Sequence, residues 1–264
     1  MLNDTYLPMF FSITKYFFNK WGLDKHPTLF SDLLCGEEKL KSVEIVYNAI
    51  SLAEYARKND SLKSFLKNND PKDCWHKLSQ IAEYKNFYQM LVIHLDKFGD
   101  RGLEELKLEK PNLRDTPWVL IQIIINYLDQ DISVEKIKKN EMERRLTAEK
   151  ILKKETRFLL HRRLVLLYLL RNLRRLIRNR ENSRYSRSEL FGFTKNIFTG
   201  IAKQFVKNGT LTATSDIYFL SMEEIFGYIE GHGINEGFID LVETRKKQLQ
   251  KYKEKESPIN ITTY

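Results

Sequence analysis

The sequence predicts a mainly α protein, a bundle of long antiparallel helices with at most one short extended segment. Three observations carry that reading. Apolar residues recur at i, i+3, i+4 and i+7 over most of the chain. Only 11 Gly and 6 Pro interrupt 264 residues. Strict apolar/polar alternation, the mark of half-buried strands, is scarce.

Element by element, the reading begins at an aromatic-rich amino terminus, Met1 to Phe18, with no basic n-region, no continuous apolar h-region and no small-residue cleavage site. Residues 1–30 are expected to form an extension packed on a single helical domain of residues 31–264. Ser42, with Glu44 behind it, reads as an N-cap and first-turn acid. The helix it opens sets Val43, Val46, Tyr47, Ile50 and Ala53 on one face. Gln80 to Phe98 repeats the pattern and stops at Gly99, a residue suited to the left-handed position that closes a helix. Thr116 then caps a helix with Pro117 at its first position, where a missing N–H costs nothing, running through Trp118 to Leu128.

From Ser133 to about Asn208 there are two Gly, Gly192 and Gly200, and no Pro, which predicts long helices broken once or twice, around Asn179 to Ser183. Asp216 to Leu220, β-branched and aromatic, is the candidate extended piece. Ser221 with Glu224 three residues on is a capping box. A charged helix from Leu241 to Lys255 and a polar tail containing Pro258 end the chain.

Charge and composition narrow the function classes. With 44 Lys+Arg against 35 Asp+Glu, the formal net charge is +9. The apolar stretches Trp118 to Leu128 and Leu164 to Leu170 fall well short of the roughly 20 residues that a membrane span needs, so no membrane partner is expected. Cys35 and Cys74 fit neither a CxxC nor a Cys/His ligand spacing, which argues against a zinc site or disulfide framework and for a cytoplasmic location. No P-loop, GxGxxG, GxSxG or HExxH occurs, so no cofactor or metal site is expected in this chain.

The chemistry-bearing candidates are few. Arg171, Arg174, Arg175, Arg178, Arg180, Arg184 and Arg187 form the densest charge, with Arg180, Arg184 and Arg187 at i, i+4 and i+7. Clustered guanidiniums repel one another, so the cluster calls for an anion: the chain's own glutamates, a phosphate-bearing ligand or nucleic acid. The plainest of these is a solvated face neutralised by Glu181 and Glu189. Nucleic acid is disfavoured, because no known nucleic-acid module or stacking platform is present. A second cluster, Gly99-Asp100-Arg101-Gly102, is either a ligand-approaching loop, with Asp100 and Arg101 as substrate-binding residues, or a helix cap with a local ion pair. His26, His76, His94, His161 and His232 lack the neighbours that catalysis requires.

Several segments occur in a telling order: Asp32-Leu33-Leu34 and Lys41-Ser42-Val43-Glu44 ahead of a helix, then Phe98-Gly99-Asp100-Arg101-Gly102, Glu105-Leu106-Lys107-Leu108-Glu109 and Pro111. Arg180-Glu181-Asn182-Ser183-Arg184, Leu190-Phe191-Gly192 and Asp216-Ile217-Tyr218-Phe219-Leu220 with Glu223-Glu224-Ile225 follow. That order resembles the helical middle region of the phosphoenolpyruvate synthase-like and rifampicin phosphotransferase enzymes, over about Ser31 to Ile261. The resemblance implies a three-part, dikinase-type machine: an ATP-grasp domain, a helical acceptor-binding domain and a swivelling domain whose phosphohistidine carries phosphate between them. It implies ATP and Mg on a partner domain, ATP-grasp and phosphohistidine domains acting in trans, and a small-molecule hydroxyl as acceptor. Arg180, Glu181 and Arg184 match the Arg-Glu-x-x-Lys/Arg element that faces the incoming phosphohistidine, and so become the catalytic candidates.

No Gly-rich Thr-x-His segment and nothing resembling an ATP-grasp domain accompanies them, so the chain is not expected to act alone. The rival readings are an inactive stand-alone interaction or scaffold protein and, behind it, a basic nucleic-acid-binding helical protein.

Overall fold

A computed structural model describes residues 2–36, 40–100, 106–232 and 237–254. Eleven α-helices and two 3-10 helices follow one another with no strand among the described residues, so the mainly α expectation holds. Helix α1, Leu2–Lys20, lies along the first half of α9, Leu160–Lys207. The short α2, Leu29–Leu34, packs on α8, Val134–Glu155. Phe18, Leu29, Leu33, Leu152, Leu166 and Leu170 close the core shared by these four helices.

A second core unites α3 (Lys41–Arg57), α4 (Asp60–Asn68), α5 (Pro71–Leu78), α6 (Lys85–Phe98) and α7 (Trp118–Leu128). The local chemistry is regular here. Asn59 and Asp70 cap α4 and α5, accepting from the N–H of Leu62 and Lys72 at 3.0 and 2.9 Å, and Pro71 takes the first turn of α5. The apolar stretch of α7 buries Leu120, Ile121, Ile124 and Leu128. A third core holds the end of α9, Ala202 and Phe205, against α10 (Met222–Ile229) and α11 (Phe238–Lys253) through Ile225, Phe238 and Val242.

Several sequence expectations are corrected. Helix α3 starts one residue before Ser42, with Leu40 at the cap position and no side-chain cap. Its buried face is Ala49, Ile50, Leu52, Ala53 and Ala56, while Val46, one turn earlier, is exposed. Gln80 lies outside α6, which is preceded by a 3-10 helix at Ala82–Tyr84. Pro117 itself occupies the cap position of α7, and the Thr116 hydroxyl donates to the Asn112 carbonyl instead.

Gly99 does end α6, but with φ −69° rather than a positive value. Its need for glycine is steric: a Cβ there would stand 2.3 Å from the Leu95 carbonyl oxygen and 2.7 Å from Arg114 Cγ.

The helix break falls at Thr156 to Leu159, not at Asn179 to Ser183, and α9 continues for 48 residues, about 72 Å at 1.5 Å per residue. At the break the buried Thr156 hydroxyl donates to the Leu152 carbonyl, the local side-chain bond that competes with helix continuation. Asn and Ser at 179–183 cost only a few tenths of a kcal/mol each relative to good helix formers, and contacts described below offset that. Thr214–Phe219 is a 3-10 helix rather than an extended segment, because Asp216 turns back to accept the Ala213 N–H at 3.0 Å. The Ser221–Glu224 capping box forms as expected, with Ser221 N–H donating to Glu224 at 2.7 Å and Glu224 N–H to Ser221 Oγ at 3.3 Å. The last helix starts earlier than Leu241, at Phe238.

Candidate functional site

Residues 181, 184, 188, 192 and 195 are spaced 3, 4, 4 and 3 apart, so Glu181, Arg184, Ser188, Gly192 and Lys195 line one face of α9. The N-terminus of α3, the C-terminus of α6 and the 106–116 segment converge on this part of the helix. The Lys41 backbone N–H donates to Asn182 Oδ1 at 3.2 Å, and Lys41 Nζ pairs with Glu189 at 3.3 Å while lying 4.9 Å from the Tyr185 ring centre. Tyr185 donates to the Lys97 carbonyl at 3.4 Å. These contacts hold the Asn/Ser-containing stretch helical.

The three catalytic candidates come together. Arg180 Nη1 donates to Glu181 Oε1 at 3.0 Å, and Arg184 Nη1 approaches the same oxygen at 3.7 Å. All three side chains are partly exposed. One carboxylate between two guanidiniums has two chemical uses: the cations favour an arriving phosphoryl group, and the carboxylate can accept a proton.

Asp100 reaches the same face of α9 from the end of α6. Gly192 permits this, since a Cβ at 192 would stand 2.5 Å from Asp100 Cβ and 2.6 Å from its carbonyl oxygen. The Asp100 carboxylate accepts from Arg114 Nε at 2.6 Å, and Arg114 also donates to Asp96 at 3.0 Å. These hydrogen bonds, that to Asp100 foremost, raise the Arg114 pKa against the opposing effect of burial. Arg101 lies outside the described residues. Beside Asp100, the side chains of Ser188, Phe191 and Lys195 wall a water-sized cavity of about 20 Å³.

Of the other arginines, Arg174 donates through Nε to the Leu33 carbonyl at 2.9 Å. Glu189, expected to neutralise the cluster, pairs with Lys41 instead. Among the histidines, His94 is buried, with Nδ1 donating to Asn48 Oδ1 at 2.7 Å, and His26 Nε2 lies 3.3 Å from Glu155.

Two features escaped the sequence reading. Lys195 is buried and donates to both Asp115, at 2.5 Å, and the Lys110 carbonyl, pinning the 106–116 segment to α9. Only its place three turns beyond Arg184 could have suggested this. A groove of about 630 Å³ also opens between α2 and α8, lined by His26, Thr28, Asp32, Arg144, Thr147 and Ile151 among others, with Arg144 paired to Asp32 at 2.5 Å. Its walls lie more than a hundred residues apart in sequence, so no local motif marks it.

No helix among the described residues is long and apolar enough to cross a membrane. Comparison with known proteins finds that prodigiosin synthesizing transferase PigC of Serratia marcescens is 23% identical over 213 residues, 79% of this chain and 24% of that protein. The chain thus spans about a quarter of the length of this curated relative. The profile of the rifampicin phosphotransferase fourth domain matches residues 7–181, from α1 through Arg180 and Glu181, and leaves Arg184 and Lys195 beyond its end. The match begins earlier than the resemblance starting near Ser31 had suggested, and bears out the family that it named. With more than half of its length under that profile, the chain belongs to the family of the rifampicin phosphotransferase fourth domain.

Proposed function

We propose that this chain is the acceptor-side helical domain of an ATP-dependent, dikinase-type phosphotransferase of the cytoplasm. In this reading ATP, Mg, an ATP-grasp domain and a phosphohistidine-bearing swivelling domain are supplied by other domains or chains, and the acceptor is a small-molecule hydroxyl. The observation that carries it is the placement of the Glu181 carboxylate between Arg180 and Arg184, on a helix of this family.

In the transfer step the N–P bond of the phosphohistidine breaks as the acceptor oxygen bonds to phosphorus, and the hydroxyl proton passes to Glu181. Arg180 and Arg184 offset the charge on the transferring group. Asp100, held by Arg114, serves to shape the acceptor pocket.

The test supplies ATP-grasp and phosphohistidine domains of a related enzyme in trans, with candidate hydroxyl compounds. Glu181→Gln should lower transfer by roughly 10²–10⁴-fold with acceptor binding largely retained, as removal of a general base does. Arg184→Ala should lower the rate through lost charge stabilisation. An unchanged rate with Gln at 181 would sink the assignment.

The engagement of Glu181 by Arg180 and of Asp100 by Arg114 favours a second reading, an inactive interaction protein that keeps the fold. Absence of transfer to every hydroxyl compound, with partners that transfer to their own helical domain, would favour it.

A further inference from the structure

The outer face of α9 carries large apolar side chains that the fold leaves in water. Leu164 and Tyr168 are 61% and 64% exposed, and Leu190, Phe193 and Ile197 are 62%, 62% and 47% exposed. At 100° per residue all five fall within about a quarter of the helix circumference. Arg171 and Arg175 lie on the same line between the two apolar groups, exposed and with no hydrogen bond or ion pair among the described residues. Small polar residues, Asn179, Ser183 and Ser186, fill the rest of the interval. The face therefore reads apolar, basic, polar, apolar along about 50 Å of helix.

Apolar residues scattered singly on a surface need no explanation, but two groups aligned on one helix face mark a docking surface. We propose that this face of α9 docks a helical protein partner that presents acidic residues between two apolar patches. The occupant follows from charge and spacing. A second copy of the chain would bring a further +9 of charge and bare guanidiniums of its own, and the acid on the facing line, Glu189, is already paired with Lys41 at 3.3 Å. Duplex nucleic acid presents one charge per roughly 1.7 Å, about thirty over this length, against two free cations on the stripe. A helix with carboxylates one to two turns from a leucine patch satisfies both arginines and covers both apolar groups. This surface is separate from the Arg180–Glu181–Arg184 face and does not depend on phosphotransfer.

The test uses the full chain and a fluorescent synthetic helix of about 35 residues, with leucines towards both ends and glutamates between them; a twin carries lysine in place of each glutamate. The chain should bind the glutamate helix and lose at least tenfold in affinity on R171E/R175E, which should in turn bind the lysine helix more tightly than the unaltered chain does. Phe193→Ala and Leu164→Ala should each weaken binding of the glutamate helix as well, showing that both ends are engaged. Equal binding of the two helices, or indifference to R171E/R175E, overturns the proposal. So does arginine-dependent binding to phosphatidylserine vesicles without binding to the helix, or a dimer in sedimentation that Phe193→Ala dissolves.

Discussion

Three glycines stand in three different surroundings, and substitution separates them. Gly192 lets Asp100 approach α9, so Gly192→Ala drives a methyl group into Asp100 Cβ and backbone and should destabilise by about 2–3 kcal/mol. Gly200 sits in the same helix with nothing within 4 Å of a built Cβ. Gly200→Ala should therefore stabilise by about 0.5–1 kcal/mol. Urea denaturation of the two variants should give midpoints on opposite sides of the parent. Gly99 was legible as a helix end, but the demand for glycine there is steric, from the Leu95 carbonyl and from Arg114 fifteen residues away, and not a positive φ.

His94 belongs to the same scale. Burial lowers its pKa to about 4 from an ordinary value near 6.5, so the folded protein holds it neutral. The unfolded chain takes up the proton first as pH falls. His94 thus contributes fully above about pH 6.5, and its contribution is lost progressively down to about pH 4. Allowing for partial solvent screening, the loss should be on the order of 2 kcal/mol. Denaturation midpoints of His94→Gln should show a shallower slope across that window; an unchanged slope would place the acid sensitivity elsewhere.

Among the elements, α9 carries the sharpest disagreement between sequence and structure. Asn179, Asn182 and Ser183 weaken helix locally, yet Lys41 and Tyr185 tie the same turns to α3 and α6. Ser183→Pro tests the continuity. In an unbroken helix it should cost about 3 kcal/mol or more, whereas at a loop it would cost little. The Lys195–Asp115 pair, which docks the 106–116 segment on α9, should respond asymmetrically. Asp115→Ala leaves a buried ammonium with one carbonyl, and should cost more than Lys195→Met, which leaves a half-exposed carboxylate in water. Thermal unfolding of both variants reads the difference directly.

The described residues form three apolar clusters strung together, with α9 belonging to the first through Leu166 and Leu170 and to the third through Ala202 and Phe205. Such an arrangement opens in parts. Phe205→Ala should remove about 3–5 kcal/mol of packing from the third cluster. Hydrogen exchange should then speed up in α10 and α11 while the amides of α6 and α7 keep their protection. Uniform acceleration along the chain would mean that the clusters unfold as one.

The sequence by itself determined the helical class, the Ser221 capping box, the burial of α7 and the family, because these rest on local periodicity, short-range hydrogen bonds and residue order. That Arg180, Glu181 and Arg184 share one turn follows from helix geometry only because α9 continues through 179–183, where local propensity predicted a break. Only the tertiary structure decided that α9 runs unbroken past Asn179, that Asp100 faces Gly192 and is held by Arg114, that Lys195 is buried against Asp115, and that a groove opens beside the contact of α2 with α8. The physical reason is the same each time. Propensities differ by tenths of a kcal/mol per residue, and a contact between residues distant in sequence outweighs them without leaving any local pattern to read.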